Sequence, residues 1–248
     1  FKNKIESKYK NVKCILSEEN LGMGAGNNLG IEYSDKEYVF ILNPDTCLES
    51  NSLDEIINAS KNIENFALIA PISNKDKYPN YTLKKDITFD PTNPFQVNSI
   101  DGYAMLLNLR RLKRLYNSRI FDENFFLYLE NDDLCKRLID SNQYIYVVPK
   151  SKVNHLGASG VNKKFSYQIE LSRNWHWIWS KFYFNKKHRG YLIALIEGLP
   201  TFFSSIIKFL FYSAIKNKKK KEIYLYRALG YYNAAIGKKS YYRPKIEN

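Results

Sequence analysis

The chain has 248 residues, of which 44% are hydrophobic and 25% are charged. This composition excludes a disordered or fibrous protein and allows one α/β domain with a sizeable core plus an appendage. The three cysteines, Cys14, Cys47 and Cys135, are far apart without metal-type spacing, so they predict reduced thiols in a cytosolic setting.

The net charge of +13 is concentrated in the last third of the chain. Residues 1–162 carry 20 Lys and Arg against 21 Asp and Glu, whereas residues 163–248 carry 18 against 4. The basic excess of the second part predicts a functional surface that faces a polyanion, either anionic lipid or nucleic acid.

The first elements are predicted to be the end of a helix within residues 1–11, a short strand at 12–16 and a helix over about 25–33. This helix begins in the glycine-rich stretch Leu21-Gly22-Met23-Gly24-Ala25-Gly26-Asn27-Asn28. Glycines allow positive φ and close backbone approach, so the N-terminal amides of the helix would face a phosphate or nucleotide. The Gly-x-Gly-x-Gly spacing is not a P-loop and is off by one from the dinucleotide fingerprint. A dinucleotide oxidoreductase and a plain glycine turn remain alternatives.

The uncharged apolar run over residues 38–42 predicts a strand buried on both faces of a parallel sheet. Pro44 has no N–H to donate, so it ends the strand. Asn43 and Asp45 then follow the carboxyl end of the strand, where open α/β sheets place their ligands. A carboxylate at Asp45 suits a divalent cation that carries phosphates, and a plain Pro-Asp turn is the alternative.

Further strands are predicted at 66–70, where Pro71 would end the strand, at 100–107 and at 144–148, with a long loop over 72–97.

An aromatic-rich run from residue 121 leads to a predicted helix that starts with Glu130, Asp132 and Asp133. Three carboxylates in four residues exceed what helix capping needs, and one beside apolar aromatics could serve as a general base. Asp133 and Arg137 are four residues apart, so that pair could be purely structural. His155 lies in a later glycine-containing loop, either as a hydrogen-bonding residue or as a metal or diphosphate contact.

Four segments, in family order across about residues 11–175, resemble the family-2 glycosyltransferases, specifically their bacterial rhamnosyltransferase-like branch. The similar segments are Asn20 to Asn28, Asn43 to Thr46, Phe121 to Arg137 and His155 to Ser159. The resemblance implies a GT-A-type nucleotide-sugar-binding sandwich and a divalent metal, Mg²⁺ or Mn²⁺. It also implies inverting transfer from a nucleotide sugar, often dTDP-rhamnose, to a glycan or lipid-linked acceptor in cell-surface polysaccharide synthesis. The nucleobase-binding first strand of the family is expected to be missing from this chain.

The resemblance also indicates the site residues. The metal ligands would be Asp45 and His155, and the base would be one of the three carboxylates near residue 130. Where the family has its usual Asp base this chain has Asn131, so the expected order is Glu130, then Asp133, with Asp132 facing solvent. The residues expected to bind the nucleotide sugar are Asn20, Gly22, Gly24, Asn27, Asn28, Asn43, Asp45, Asp101 and Gly102.

The chain is therefore predicted to have an α/β catalytic domain with a mainly parallel sheet over 1–162 and a helical, aromatic and basic segment over 163–248. Residues 191–215 are apolar but contain Glu197, Pro200 and Lys208, so no run is expected to reach the ~20 residues of a membrane span. Lysines at 216 and 218–221 follow directly, which favours a segment lying in the interface of an anionic membrane, on its cytoplasmic inner face. Nucleic acid is disfavoured because the aromatics lie on apolar helices. A helical cap on the core and a non-catalytic lipid- or nucleic-acid-binding module remain alternatives.

Overall fold

A computed structural model of the chain describes residues 1–74, 78–85, 87–157 and 163–243. The helices are α1 (Lys2–Lys8), α2 (Met23–Glu32), α3 (Ser52–Asn62), α4 (Leu109–Tyr116), α5 (Glu130–Asp140), α6 (Ser166–Arg189), α7 (Tyr191–Ala214) and α8 (Lys218–Ala235). The strands are β1 (Tyr38–Leu42), β2 (Thr46–Leu48), β3 (Phe66–Ser73), β4 (Tyr81–Leu83), β5 (Phe95–Ile100), β6 (Ala104–Asn108) and β7 (Tyr144–His155). A short 3₁₀ helix covers Lys163–Phe165.

The strands form one sheet in the order β1-β6-β3-β7-β5-β4, and β2 pairs with the end of β7. Within the described ranges only β3 and β7 pair in parallel, so the sheet is mixed rather than mainly parallel. β1 runs antiparallel to β6 at one edge, and of its five residues only Ile41 is buried. The prediction of a parallel strand buried on both faces was therefore wrong for β1, because an apolar run reveals neither the direction of the partner strand nor an edge position.

Three local predictions also differ from the structure. Residues 12–16 are extended but form no strand, and the Cys14 N–H donates to the side chain of Glu6 instead (2.7 Å). β3 continues through Pro71 to Ser73, with a change of register after Pro71 that accommodates the missing donor. The expected loop over 72–97 contains β4, which pairs with β5.

Helices cover both faces of the sheet. Ile56 and Ala59 of α3 pack on one face against Phe66 and Ile69 of β3. On the other face α2, α4 and α5 share the main core, to which they contribute Ile31, Leu109, Leu112, Leu134 and Leu138. This packing places the first residues of α2 and α5 beside each other at one edge of the domain.

The last three helices build a second core of their own. Trp175, Trp179 and Phe182 of α6 are buried against Tyr231 and Ala234 of α8. α7 runs unbroken through Pro200 for 24 residues, so the expected interruption of this segment was wrong. In the described part of the chain α7 is the one helix that is long and apolar enough to cross a membrane, and only 11% of its apolar window is buried.

The start of α2 depends on a glycine with positive φ. Gly22 has a φ of 85°, and a Cβ atom there would lie 2.3 Å from the carbonyl oxygen of Phe126. The same carbonyl accepts a hydrogen bond from the N–H of Met23 (3.0 Å). Gly22 is thus required for α2 to pack on the segment that leads into α5.

Replacing Gly22 by Ala should therefore lower the free energy of unfolding by about 2–4 kcal/mol, because the new Cβ meets both strain and a backbone clash. Gly26 in the same helix is the matched control, since a Cβ there meets nothing within 4 Å. Gly26→Ala should be neutral or stabilising by up to ~1 kcal/mol. Urea unfolding of the two variants measures this difference, and equal stabilities would contradict the packing described for Gly22.

Candidate active site

Asp45 and His155 meet at the end of the sheet. β2 pairs with β7 so that Thr46 lies opposite His155, and the Leu156 N–H donates to the carbonyl oxygen of Asp45 (2.9 Å). These backbone contacts bring Asp45 Oδ2 within 3.3 Å of His155 Nε2. The ring of Tyr103 stacks on the imidazole with centroids 4.3 Å apart. The two predicted metal ligands are thus neighbours, with their side chains 21% and 31% exposed.

Asn131 fixes the start of α5 on the end of β5. Its side-chain Nδ2 donates to the carbonyl oxygen of Ile100 (2.9 Å), directly before Asp101 and Gly102. A Cβ on Gly102 would lie 3.3 Å from the Cβ of Asn131, so the strand end and the helix start are in close contact. A carboxylate cannot donate this hydrogen bond, which explains why an amide at this position suits the packing.

The carboxylates around this junction are electrostatically coupled. Burial raises the pKa of Glu130 to about 7, and the charge of Asp132 adds to the effect. Burial, together with the charge of Asp101, raises the pKa of Asp132 to about 6. Burial also raises the pKa of Asp101, whereas His155 acts to lower it. Asp45, His155, Asp101, Asp132 and Glu130 thus form one series of interacting groups, which we call the acidic row.

Asp132 was expected to face solvent, whereas its side chain is half-buried and close enough to Asp101 for the two charges to interact. Glu130 is 4% exposed, and its Oε2 has no hydrogen-bond partner among the described residues. The Cβ of Glu130 lies 3.5 Å from where a Cβ of Gly24 would be, so this carboxylate is adjacent to the start of α2. A buried carboxylate oxygen without a donor is suited to accept a proton.

Asp133 has a different environment from its neighbours. It is fully buried. One carboxylate oxygen lies 2.8 Å from Arg137 Nε, and the other lies 2.7 Å from Lys187 Nζ and 2.8 Å from His188 Nε2. We call these four residues the Asp133 clamp. The clamp joins α5 to the end of α6. Because each carboxylate oxygen of Asp133 already has a partner, the structure gives no support to the predicted catalytic role of this residue.

Two of the predicted donor-binding asparagines make hydrogen bonds within the protein. Asn28 is 1% exposed, its Nδ2 donates to Phe121 O and Glu123 Oε1, and its Oδ1 accepts from Phe121 N. Its amide is thus used to hold α2 on the segment before α5 and is not available to a ligand. Asn20 accepts a hydrogen bond from Gly22 N (3.1 Å). The side-chain nitrogen of Asn27, in contrast, is buried without a hydrogen-bond partner in the described part of the chain.

Within the described residues no group of three or more His, Cys, Asp and Glu side chains could hold a metal ion. Asp45 and His155 offer one carboxylate and one imidazole. Mg²⁺ and Mn²⁺ sites that bind phosphates often use only one or two protein ligands, with the phosphates and water completing the shell. The pair therefore fits a metal that arrives with a phosphorylated ligand.

Sequence reasoning missed Tyr103, the anchoring role of Asn131 and the clamp partners Lys187 and His188. Lys187 and His188 lie more than fifty positions from Asp133 in a segment with other cations, so no local pattern pointed to the contact. Tyr103 could have been noticed from its place beside Asp101 and Gly102.

The sequence of the chain matches a known protein family, and its fold is similar to solved structures. The sequence model described as Glycosyl transferase family 2 matches residues 2–131. No curated protein matches the chain with significant sequence similarity. Among solved structures the chain is similar to GalNAc-T7 crystallised with UDP, GalNAc and Mn²⁺, at 13% identity and a TM-score of 0.51. That alignment covers 70% of this chain and 41% of the other, so the chain spans less than half the length of that protein.

Two further structures are more distant in shape. A mannosyltransferase from Pyrobaculum calidifontis in complex with GDP-Man and Mn²⁺ has 12% identity and a TM-score of 0.48, with 94% of this chain and 71% of that chain covered. Residues 1–349 of S. aureus TarS have 13% identity and a TM-score of 0.44, with 97% and 80% covered.

The Asp133 clamp leads to a stability prediction. Asp133→Asn should lower the free energy of unfolding by about 3 kcal/mol, because it leaves the partly buried Arg137 without its carboxylate partner and removes one of the two carboxylates that pair with Lys187. Asp140 is the control on the same helix, since its pair with Lys136 is about half exposed. Asp140→Asn should cost less than about 1 kcal/mol. Chemical unfolding compares the two variants, and an equally small loss at both positions would show that the clamp contributes little.

Proposed function

The chain belongs to glycosyl transferase family 2, and from that premise we propose that it transfers a sugar from a nucleotide donor to an acceptor hydroxyl. The predicted family and the GT-A-type α/β fold are confirmed. The acidic row carries the proposal, because it combines a carboxylate–imidazole pair with a buried carboxylate, one oxygen of which has no hydrogen-bond partner among the described residues. The dinucleotide oxidoreductase is disfavoured, since Gly22 and Gly24 serve the packing of α2 within a glycosyltransferase domain.

Asp45 and His155 are proposed to hold a divalent ion, Mg²⁺ or Mn²⁺, together with the donor diphosphate. The presence of Mn²⁺ and UDP in the GalNAc-T7 structure supports this proposal. When bound, the ion would offset the negative charge of the departing diphosphate. Tyr103 holds the imidazole in place through its stacked ring, and Asp101 acts on it electrostatically.

Glu130 is proposed as the general base. Its free oxygen takes the proton of the acceptor hydroxyl, while the hydroxyl oxygen bonds to the anomeric carbon and the bond from that carbon to the diphosphate breaks. Attack from the face opposite the diphosphate inverts the anomeric centre. Asp132 is the second candidate, because its pKa of about 6 and its place between Asp101 and Glu130 also suit a base. Asn131 is an amide and accepts no proton at neutral pH.

The finer assignments rest on the motif resemblance. We favour dTDP-rhamnose as donor and a glycan or lipid-linked acceptor in polysaccharide synthesis at the inner face of the cell membrane. We propose that Asn43, Gly102, Gly24 and Asn27 contribute to the donor and acceptor positions. The side-chain nitrogen of Asn27 has no hydrogen-bond partner in the described part of the chain, which supports its role as a donor to the ligand. We assign catalysis to residues 1–162 and surface attachment to residues 163–248, with no role for nucleic acid.

Asp45→Asn should weaken metal-dependent donor binding by about 100-fold or more, because the amide removes the charge that holds the ion. Calorimetric titration with nucleoside diphosphate sugars and Mn²⁺, beginning with dTDP-rhamnose, measures the affinity. Asp35→Asn, at an exposed turn, serves as the control and should bind as the wild type does. Unchanged affinity in Asp45→Asn, or full transfer in excess EDTA, would rule out the metal role.

Glu130→Gln should reduce kcat by ~10²–10⁴-fold with little change in donor affinity, because the amide keeps the shape but takes no proton. The wild-type kcat should rise with pH through about 7, since only the ionised carboxylate is a base. The raised pKa also means that the folded state binds more protons, so the free energy of unfolding should fall as pH rises from about 4.5 to 7. Glu130→Gln should reduce this slope, and the part that remains should come from Asp132, whose pKa is also raised. If Asp132→Asn loses activity and Glu130→Gln does not, the base is Asp132.

A further inference from the structure

α7 exposes a continuous apolar stripe along its whole length. Most of the exposed side chains are separated by three, four or seven residues, so they lie on one side of the helix. A helix of 24 residues is about 36 Å long, which makes this an unusually large uncovered apolar surface. We call it the outer stripe; its residues, between 57% and 69% exposed, are Leu192, Ile196, Phe203, Ile207, Leu210 and Phe211.

The two charged residues of α7 are exposed beside the outer stripe but are not part of it, and both contact neighbouring helices. Glu197 accepts hydrogen bonds from Arg189 and Asn185 of α6. The ammonium of Lys208 lies 5.2 Å from the ring centroid of Tyr224 in α8. The outer stripe itself therefore contains no charge.

The opposite side of α7 is packed against protein. Ala194 and Ser205 are 1% and 2% exposed, and the Tyr231 hydroxyl of α8 donates to the carbonyl of Leu195 (2.8 Å). A Cβ on Gly198 would lie 2.1 Å from the Tyr231 ring, so the two helices are in direct contact. A membrane-spanning position would require α8, with its four consecutive lysines, to separate from α7 or to enter the bilayer with it. One-sided packing is instead typical of a helix that lies in the plane of a membrane interface.

Lysines surround the C-terminal end of α7. Lys216 and Lys218–Lys221 follow it in the chain, and the ammonium groups of Lys220 and Lys221 lie 5.1 and 5.8 Å from the ring centroids of Tyr212 and Phe209 in α7. The aliphatic parts of these two lysine side chains thus lie against apolar rings of α7, with the ammonium groups at the border of the apolar surface. Lysines take the same arrangement at a lipid headgroup layer. This arrangement is complementary to an anionic bilayer. The apolar side chains suit the acyl layer, and the lysines suit the negatively charged headgroups.

We propose that α7 lies flat in the surface of an anionic membrane, with the outer stripe in the acyl layer and the lysine cluster at the headgroups. This assigns the attachment to one helix, and Trp175, Trp179 and Phe182 of α6 serve the protein core instead. The inference does not depend on the transfer reaction, so a failed activity assay and a failed membrane assay are distinguishable.

Sedimentation of the whole chain with phosphatidylcholine vesicles, with and without phosphatidylglycerol, tests the attachment. The wild type should pellet with the anionic vesicles and be released by high salt. A stripe variant, Ile196→Ser with Phe203→Ser and Ile207→Ser, should bind at least about 100-fold more weakly. The matched control changes two exposed leucines of the catalytic domain, Leu16→Ser and Leu53→Ser, and should bind as the wild type does. Replacing the five lysines by Gln should weaken binding by about 10³-fold.

Nitroxide labels at residues 196, 203 and 210, in a background without the native cysteines, then measure immersion depth. Equal immersion depth at the three positions supports a helix in the membrane plane. A depth that changes steadily along the helix, from one headgroup region through the bilayer centre, would show that α7 spans the membrane. Equal binding to neutral and anionic vesicles, or binding to neither, would overturn the proposal. So would a concentration-dependent dimer that the stripe variant abolishes without any vesicle binding, which would assign the outer stripe to a second copy of the chain.

Discussion

One buried carboxylate connects the two halves of this protein. Asp133 is inaccessible to solvent, and a buried carboxylate is costly unless it is paired and hydrogen-bonded. Arg137 supplies one donor from the same helix, and Lys187 and His188 supply two from the end of α6. These contacts hold α5 on the end of α6, and α7 begins three residues after the last residue of the clamp. The proposed membrane helix is in this way tied to the helix that carries Glu130 and Asp132.

The same contacts explain how the first four residues of α5, Glu130 to Asp133, can have different roles. Asn131 anchors the helix to β5 and Asp133 anchors it to α6, so the residues on either side of Asn131 are positioned without forming ion pairs of their own. Burial then raises the pKa of Glu130 to about 7, which keeps this carboxyl group poised near neutral pH. The amide of Asn131 supplies a hydrogen-bond donor at this position, and we propose that a neighbouring carboxylate acts as the base.

Much of this was predictable from local sequence, and the failures have physical causes. The family, the fold class and the proximity of Asp45 to His155 followed from motifs at strand ends, where residue types directly reflect chemistry. The strand directions, the edge position of β1 and the continuity of α7 through Pro200 depend on tertiary partners that a local pattern does not contain. Asn28 looked like a ligand contact because a polar residue beside glycines resembles a binding loop, yet its amide bonds to backbone 93 residues away. Lys187 and His188 of the clamp are also remote from Asp133 in sequence, whereas Arg137, four residues away, was visible as a local pair.

The central claim is that the acidic row is the donor site, with the diphosphate and its metal at Asp45 and His155. Pulsed electron paramagnetic resonance of Mn²⁺ bound to the protein with a nucleoside diphosphate tests this claim most directly. We expect a ³¹P coupling from the diphosphate together with a ¹⁴N coupling from the imidazole, and the ¹⁴N coupling should disappear in His155→Ala while the ³¹P coupling remains. Mn²⁺ that shows neither coupling, or a ¹⁴N coupling that survives in His155→Ala, would contradict the account.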